Sequence, residues 1–181
     1  MRRSRLAALV LLLCSLLLVP VSPAGAATPY CGIRWGSLDK SVAGLSLAPV
    51  TDVRTGRHTC FDRLVVDIAG DARGYTVRYV PAVTADGSGV VIPTRGGAAL
   101  EITVCNPAFA SSGAPTYTPA DRRELRDVTG YRTFRQVVWA GTFEGYMSLG
   151  LGVRARLPFR AFLLDGPGTS DRLVVDVAHR W

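Results

Sequence analysis

Lysine is almost missing from this chain. Its 181 residues include 21 basic side chains, of which Lys40 is the one lysine and the rest are arginines. Histidine occurs twice (His58 and His179), and glutamate three times, at positions 101, 124 and 144. So few His and Glu side chains leave little general acid–base chemistry. The sequence also lacks a Gly-x-Ser-x-Gly elbow, a His-Glu-x-x-His helix and a phosphate-binding Walker loop. No carboxylates form an evident pair of the kind that glycosidases hold roughly 5–10 Å apart. These absences argue against an enzyme, and no catalytic residue and no cofactor is expected. No metal is expected either, because His58-Thr59-Cys60 offers two ligands with no second pair to close a zinc site. Basic residues do not cluster beyond Arg122-Arg123, and no aromatic–basic module is present, so nucleic acid is not an expected partner. Disorder and a collagen-like chain are excluded too: 48% of residues are apolar, 19% are charged, and the 19 glycines follow no triplet.

One long apolar run is present, at the start. Arg2, Arg3 and Arg5 precede the apolar residues 6–19, and Pro20, Pro23 and Ala24-Gly25-Ala26 follow. That order reads as a secretory signal peptide over residues 1–26. The run is shorter than the roughly 18–20 residues of a spanning helix. Leu13, before Cys14, is not the small residue a lipobox requires. The expected mature chain is therefore secreted or associated with the cell envelope, with no stable membrane span. Without residues 1–26 it has 18 basic and 14 acidic groups, a charge of +4 that points to no particular partner.

Three cysteines lie beyond this leader: Cys31, Cys60 and Cys105. In an oxidising compartment an odd number implies one pair and one leftover. Cys31 and Cys60 flank a Gly-, Ser- and Thr-rich segment that a disulfide could staple to the domain. Closing a loop of about 30 residues is worth on the order of 3–4 kcal/mol. Cys105 ends an apolar run and reads as a buried free thiol.

The rest predicts an all-β chain, a β-sandwich of about eight short strands. Residues 27–59 read as an irregular segment packed on the domain, with Gly32-Ile33-Arg34-Trp35-Gly36 as its anchor. From residue 60 to 181, apolar runs alternate with Gly, Pro and Asp turn signals. Strands are expected over 64–69, 75–80, 90–93, 98–105, 133–140, 147–154, 159–164 and 173–178. One short helix is expected, with Thr118 as N-cap, Pro119 in the first turn, and an end near Arg126.

Asp62-Arg63-Leu64-Val65-Val66-Asp67 recurs letter for letter as Asp171-Arg172-Leu173-Val174-Val175-Asp176. In a strand, Arg63, Val65 and Asp67 share one face. If the copies pair antiparallel with Val65 opposite Val174, Arg63 faces Asp176 and Arg172 faces Asp67, a reciprocal set of ion pairs that would fix register. The alternative is that each Arg and Asp caps its own strand.

Binding chemistry concentrates between residues 130 and 164. Arg135, Trp139, Phe143, Glu144, Tyr146, Arg154 and Arg156 are the candidate binding residues. Rings offer apolar faces to sugars, and guanidiniums bind carboxylates in bidentate fashion. The competing reading is a sandwich strand with one face in the core and the other wet.

Together these stretches resemble a known family. Cys60-Phe61-Asp62-Arg63-Leu64-Val65-Val66-Asp67, Gly74-Tyr75-Thr76-Val77-Arg78-Tyr79-Val80, Asp86-Gly87-Ser88-Gly89, Thr142-Phe143-Glu144-Gly145 and Leu149-Gly150-Leu151-Gly152 are similar to the AMIN-like domain proteins of actinobacteria. Pro158-Phe159-Arg160-Ala161-Phe162 and the closing Arg172-Leu173-Val174-Val175-Asp176-Val177-Ala178-His179 extend the resemblance over roughly residues 31–181. It implies an exported β-sandwich related to the AMIN domains of cell-wall amidases and secretins, which are thought to contact peptidoglycan. The function expected is a non-enzymatic envelope-binding module engaging peptidoglycan or another wall glycan. The alternative is a secreted protein-interaction or inhibitor-like factor that uses the loop between Cys31 and Cys60 and meets an envelope protein.

Overall fold

The computed structural model describes residues 32–181. The leader of residues 1–26 and Cys31 fall outside the described residues, and with Cys31 the expected Cys31–Cys60 bridge. Among the described residues there are eleven strands and no helix. They are β1 (Lys40–Val42), β2 (Val50–Arg57), β3 (Phe61–Ile68), β4 (Tyr75–Val80), β5 (Val83–Thr84) and β6 (Val91–Ile92). β7 (Ala98–Val104), β8 (Phe134–Phe143), β9 (Tyr146–Val153), β10 (Phe159–Asp165) and β11 (Asp171–Ala178) follow.

A five-stranded sheet has the order β1-β4-β7-β9-β8, a four-stranded sheet the order β10-β11-β3-β2, and β5-β6 is a separate hairpin. All pairings are antiparallel. Period-two alternation explains how the two larger sheets meet. Leu100, Ile102 and Val104 of β7 and Leu149 and Leu151 of β9 lie in one buried cluster with Leu64 and Val66 of β3 and Leu173 and Val175 of β11. Two sheets that share one cluster lie face to face, as in a sandwich. Each such side chain contributes about 1.5–3 kcal/mol relative to exposure. The hairpin covers part of the outer face of the five-stranded sheet, where Val83 packs on Val138 and Ala140.

Four expectations are corrected. The strands number eleven rather than eight, because β1, β2 and β5 were not anticipated. β2 falls inside the segment read as irregular. A register shift between Val50 and Asp52 brings Val50 and Val53 to the core, three residues apart, so strict alternation is broken. The helix at 118–126 is absent because its backbone bonds elsewhere. The Asp121 carboxylate accepts from Arg123 N at 2.7 Å, Arg122 O accepts from Trp139 N at 2.8 Å, and Leu125 N donates to Val137 O at 2.9 Å. The segment thus covers the exposed edge of β8, an edge that would otherwise invite pairing with another chain. Cys105 is free and half-buried rather than buried.

The two copies of the repeat pair in the expected register. β3 and β11 lie side by side with Val65 opposite Val174, Arg63 opposite Asp176 and Asp67 opposite Arg172. Only half of the reciprocal ion pairing follows. Arg63 binds Asp176 through Nε at 2.6 Å and Nη2 at 2.9 Å. Asp67 instead takes Arg54 of β2 (2.5 and 2.7 Å), while Arg172 Nη2 donates to Asp165 O at 3.1 Å. The neighbouring strand decides: β2 supplies an arginine beside Asp67, and that contact displaces Arg172.

Candidate functional site

β8 and β9 form a hairpin closed by Glu144 and Gly145, both at positive φ (49° and 85°). That is the geometry of a two-residue primed turn, which matches the twist of the strands it joins. The turn places Phe143 opposite Tyr146 at the tip, where the two side chains are 51% and 39% exposed.

The loop after β5 reaches the same place. Asp86 N donates to Ala140 O at 2.8 Å, which fastens this loop to β8. The close approach requires Gly141: a Cβ there would lie 2.9 Å from Asp86 Cβ, and its φ of +136° is already unfavourable for other residues. A bulge between Trp139 and Gly141 accommodates it. Asp86 is thereby held half-buried, and its Oδ2 is shielded with no hydrogen-bond partner. Burial pushes the Asp86 carboxyl above the usual range. The Ser148 hydroxyl opposes this, and the nearby Glu101 charge reinforces it.

Outward positions of β4, β7 and β9 complete a cleft of about 420 Å³ between the two loops. Arg78 binds Glu101 through Nε (3.1 Å) and Nη2 (2.7 Å), and the Thr103 and Ser148 hydroxyls lie 3.2 Å apart. The result is a polar floor of carboxylates and hydroxyls, with a guanidinium and two aromatic rings beside it. A shielded acceptor without a donor costs about 1–3 kcal/mol, and a ligand hydroxyl would relieve that cost. Convergent polar groups beside exposed rings suit a ligand with both hydroxyls and an apolar face.

Comparison with known families matches residues 48–179 to the AMIN-like domain. The chain belongs to the AMIN-like domain family. No curated protein and no solved structure gave a significant match. The matched span of this AMIN-like domain begins just ahead of β2 and ends just after β11, so it takes in the four-stranded sheet and all of the five-stranded sheet except its edge strand β1. Such domains are associated with the cell envelope and are typically non-catalytic. Among the described residues, no group of three or more His, Cys, Asp or Glu could hold a metal ion. No helix among them is long and apolar enough to cross a membrane.

Of the residues singled out from the sequence, Phe143, Glu144 and Tyr146 line the cleft. The others do not. Trp139 is half-buried against Tyr117, with ring centroids 5.8 Å apart. Arg135 folds back on the start of β8 and donates to Phe134 O (2.8 Å) and Tyr131 O (3.2 Å). Arg154 donates to His179 O at 2.6 Å. Arg156 donates to Ser37 O at 3.1 Å and sits 4.8 Å from the Tyr79 ring centroid. The hairpin explains the dispersal: at about 3.3 Å per residue, the ten residues of β8 separate its ends by roughly 30 Å. Asp86, Arg78, Glu101, Thr103 and Ser148 were not anticipated. Glu101 and Thr103 had a signal, as polar residues alternating with Leu100, Ile102 and Val104, which mark an outer face without showing what covers it.

Proposed function

We propose that this AMIN-like domain is an exported, non-enzymatic cell-envelope module that engages peptidoglycan or another wall glycan through the cleft at the β8–β9 tip. One observation carries the reading: two exposed rings, Phe143 and Tyr146, stand beside a shielded Asp86 oxygen that lacks a donor. A sugar ring meets both needs, with a C–H face for an aromatic side chain and hydroxyls for the carboxylate. The leader expected over residues 1–26 and the family's association with the envelope put such a ligand within reach. Purified sacculi should retain the protein above a control of equal size and charge. Phe143→Ala/Tyr146→Ala should reduce retention roughly tenfold, equivalent to about 1.4 kcal/mol. Equal retention of the variant and the parent protein refutes the cleft.

A protein-interaction role has one observation in its favour: Leu38, Leu45 and Leu47, before β2, are exposed large apolar side chains. If they are the contact, Leu38→Ser/Leu47→Ser should abolish capture of an envelope protein and leave sacculus retention unchanged. Loss of sacculus retention instead refutes this second reading.

A further inference from the structure

The opposite end of the β8–β9 hairpin carries different chemistry. The start of β8, the end of β9 and the end of β11 converge there around a pocket of about 520 Å³. Arg132, Arg154, His179 and Arg180 line it, and among the described residues no carboxylate does. Among the described residues, none of these three arginines forms an ion pair with a carboxylate. Arg154 is held by its bond to His179 O, and Arg132 and Arg180 are exposed.

Asp62, fully buried at the start of β3, positions the histidine. Its Oδ2 accepts from Thr133 N (2.6 Å) and Phe134 N (3.2 Å), and its Oδ1 lies 3.1 Å from His179 Nε2. A carboxylate at Nε2 favours the tautomer that carries its proton there, so Nδ1 is left as an acceptor. The His179 side chain is nine-tenths buried, and Nδ1 has no partner. The pocket therefore offers cationic donors for an oxyanion and is lined by a histidine whose shielded Nδ1 has no partner.

We propose that this pocket captures a free carboxylate adjacent to an amide N–H, the chemistry of a peptide C-terminus, supplied by the peptides of the cell wall. The guanidiniums take the carboxylate, as bidentate Arg–carboxylate pairs do, and His179 Nδ1 takes the amide hydrogen. The peptide source rests on the envelope association of the family. The site itself does not depend on the aromatic cleft, from which β8 and β9 separate it.

With only two histidines in the chain, long-range ¹H–¹⁵N spectra of the imidazoles read the site directly, His58 serving as internal reference. N-acetylalanine should shift the His179 nitrogens saturably. N-acetylalaninamide, which lacks the carboxylate, should not, and acetate, which lacks the N–H, should bind several-fold more weakly. Arg132→Gln/Arg180→Gln, both exposed positions, should keep the parent Tm and weaken N-acetylalanine at least tenfold. Peptides released from purified wall should displace the probe. A shift that does not saturate, an equal response to the amide or to acetate, or an unchanged affinity in the double variant overturns the site. Failure of wall peptides to compete overturns their role as the source. Phe143→Ala/Tyr146→Ala should leave the titration unchanged, so failure of the glycan cleft is distinguishable from failure here.

Discussion

Asp67 and Asp176 occupy the same place in the two copies of the repeat, yet their removal should have unequal effects. The Asp176 side chain is 0% exposed and bridges two arginines. Arg63 binds it in bidentate fashion, and Arg160 Nε approaches at 2.8 Å. Asp176→Ala leaves both guanidiniums without their carboxylate. Breaking a fully buried ion pair from one side costs about 3–5 kcal/mol. Here the arginines remain 26% and 39% exposed, and Arg160 keeps the Trp35 ring, 4.3 Å from its guanidinium. Water and that ring offset part of the loss, which places the cost at about 3 kcal/mol. Asp67→Ala removes only a pair with Arg54, whose side chain is 51% exposed, and should cost at most about 1 kcal/mol. In urea denaturation, with m of about 1–3 kcal/mol per M, the Asp176 variant should lower the midpoint by roughly 1–3 M and the Asp67 variant by well under half as much. Arg63→Met/Asp176→Leu should recover much of the difference, because packed apolar side chains replace buried charge at little net cost. Equal midpoint losses for the two alanine variants would refute the assignment of Asp176 as the buried centre of the outer face.

Other perturbations follow from single contacts. The Asp86 carboxyl is raised in the folded chain, so its contribution is fully present below the unfolded value near 3.8 and fades as pH rises through the folded one. Asp86→Asn should therefore raise Tm at pH 7 and lose that advantage at pH 3; a gain that persists at pH 3 contradicts the desolvation argument. Gly150→Ala would place a Cβ 2.6 Å from Val138 Cγ2 and 2.7 Å from both Val83 methyls. It should cost about 1–3 kcal/mol in chemical denaturation as the β5–β6 hairpin is forced outward. Burial also pushes the Cys105 thiol up, so iodoacetamide at pH 8 should modify native protein far more slowly than urea-unfolded protein. Comparable rates would show that the thiol is open.

What could be read from the sequence divides along a physical line. The pairing of β3 with β11 was legible because the two copies are identical over six residues, and one antiparallel register sets each Arg of one copy opposite an Asp of the other. β2 was not, because its bulge sets Val50 and Val53 three residues apart. The false helix had sound local signals, Thr118 before Pro119, but the open edge of β8 claimed its backbone groups. The site shows the same contrast. Phe143 and Tyr146 stood out as aromatic residues flanking a turn, whereas Asp86 lay in Asp86-Gly87-Ser88-Gly89, which reads as a hairpin turn shared with the family and not as a binding residue. Its importance depends on contact with Gly141, more than fifty positions away, and no local pattern encodes that approach.

The β8–β9 hairpin ties these observations into one consequence for ligand binding. Its tip carries rings, hydroxyls and carboxylates, while its base carries guanidiniums and a histidine acceptor. The strands between are fully paired on the inner side of the sheet and packed against a common core, so the two ends keep a fixed separation of roughly 30 Å. A rigid spacing of this kind favours an extended ligand over a compact one. A glycan strand with pendant peptides offers both chemistries on one polymer, and occupying both ends converts the second contact into an intramolecular event. Affinity for intact wall should then exceed affinity for either fragment alone by far more than the ratio of the fragments' own affinities, and disabling either end should remove most of that excess.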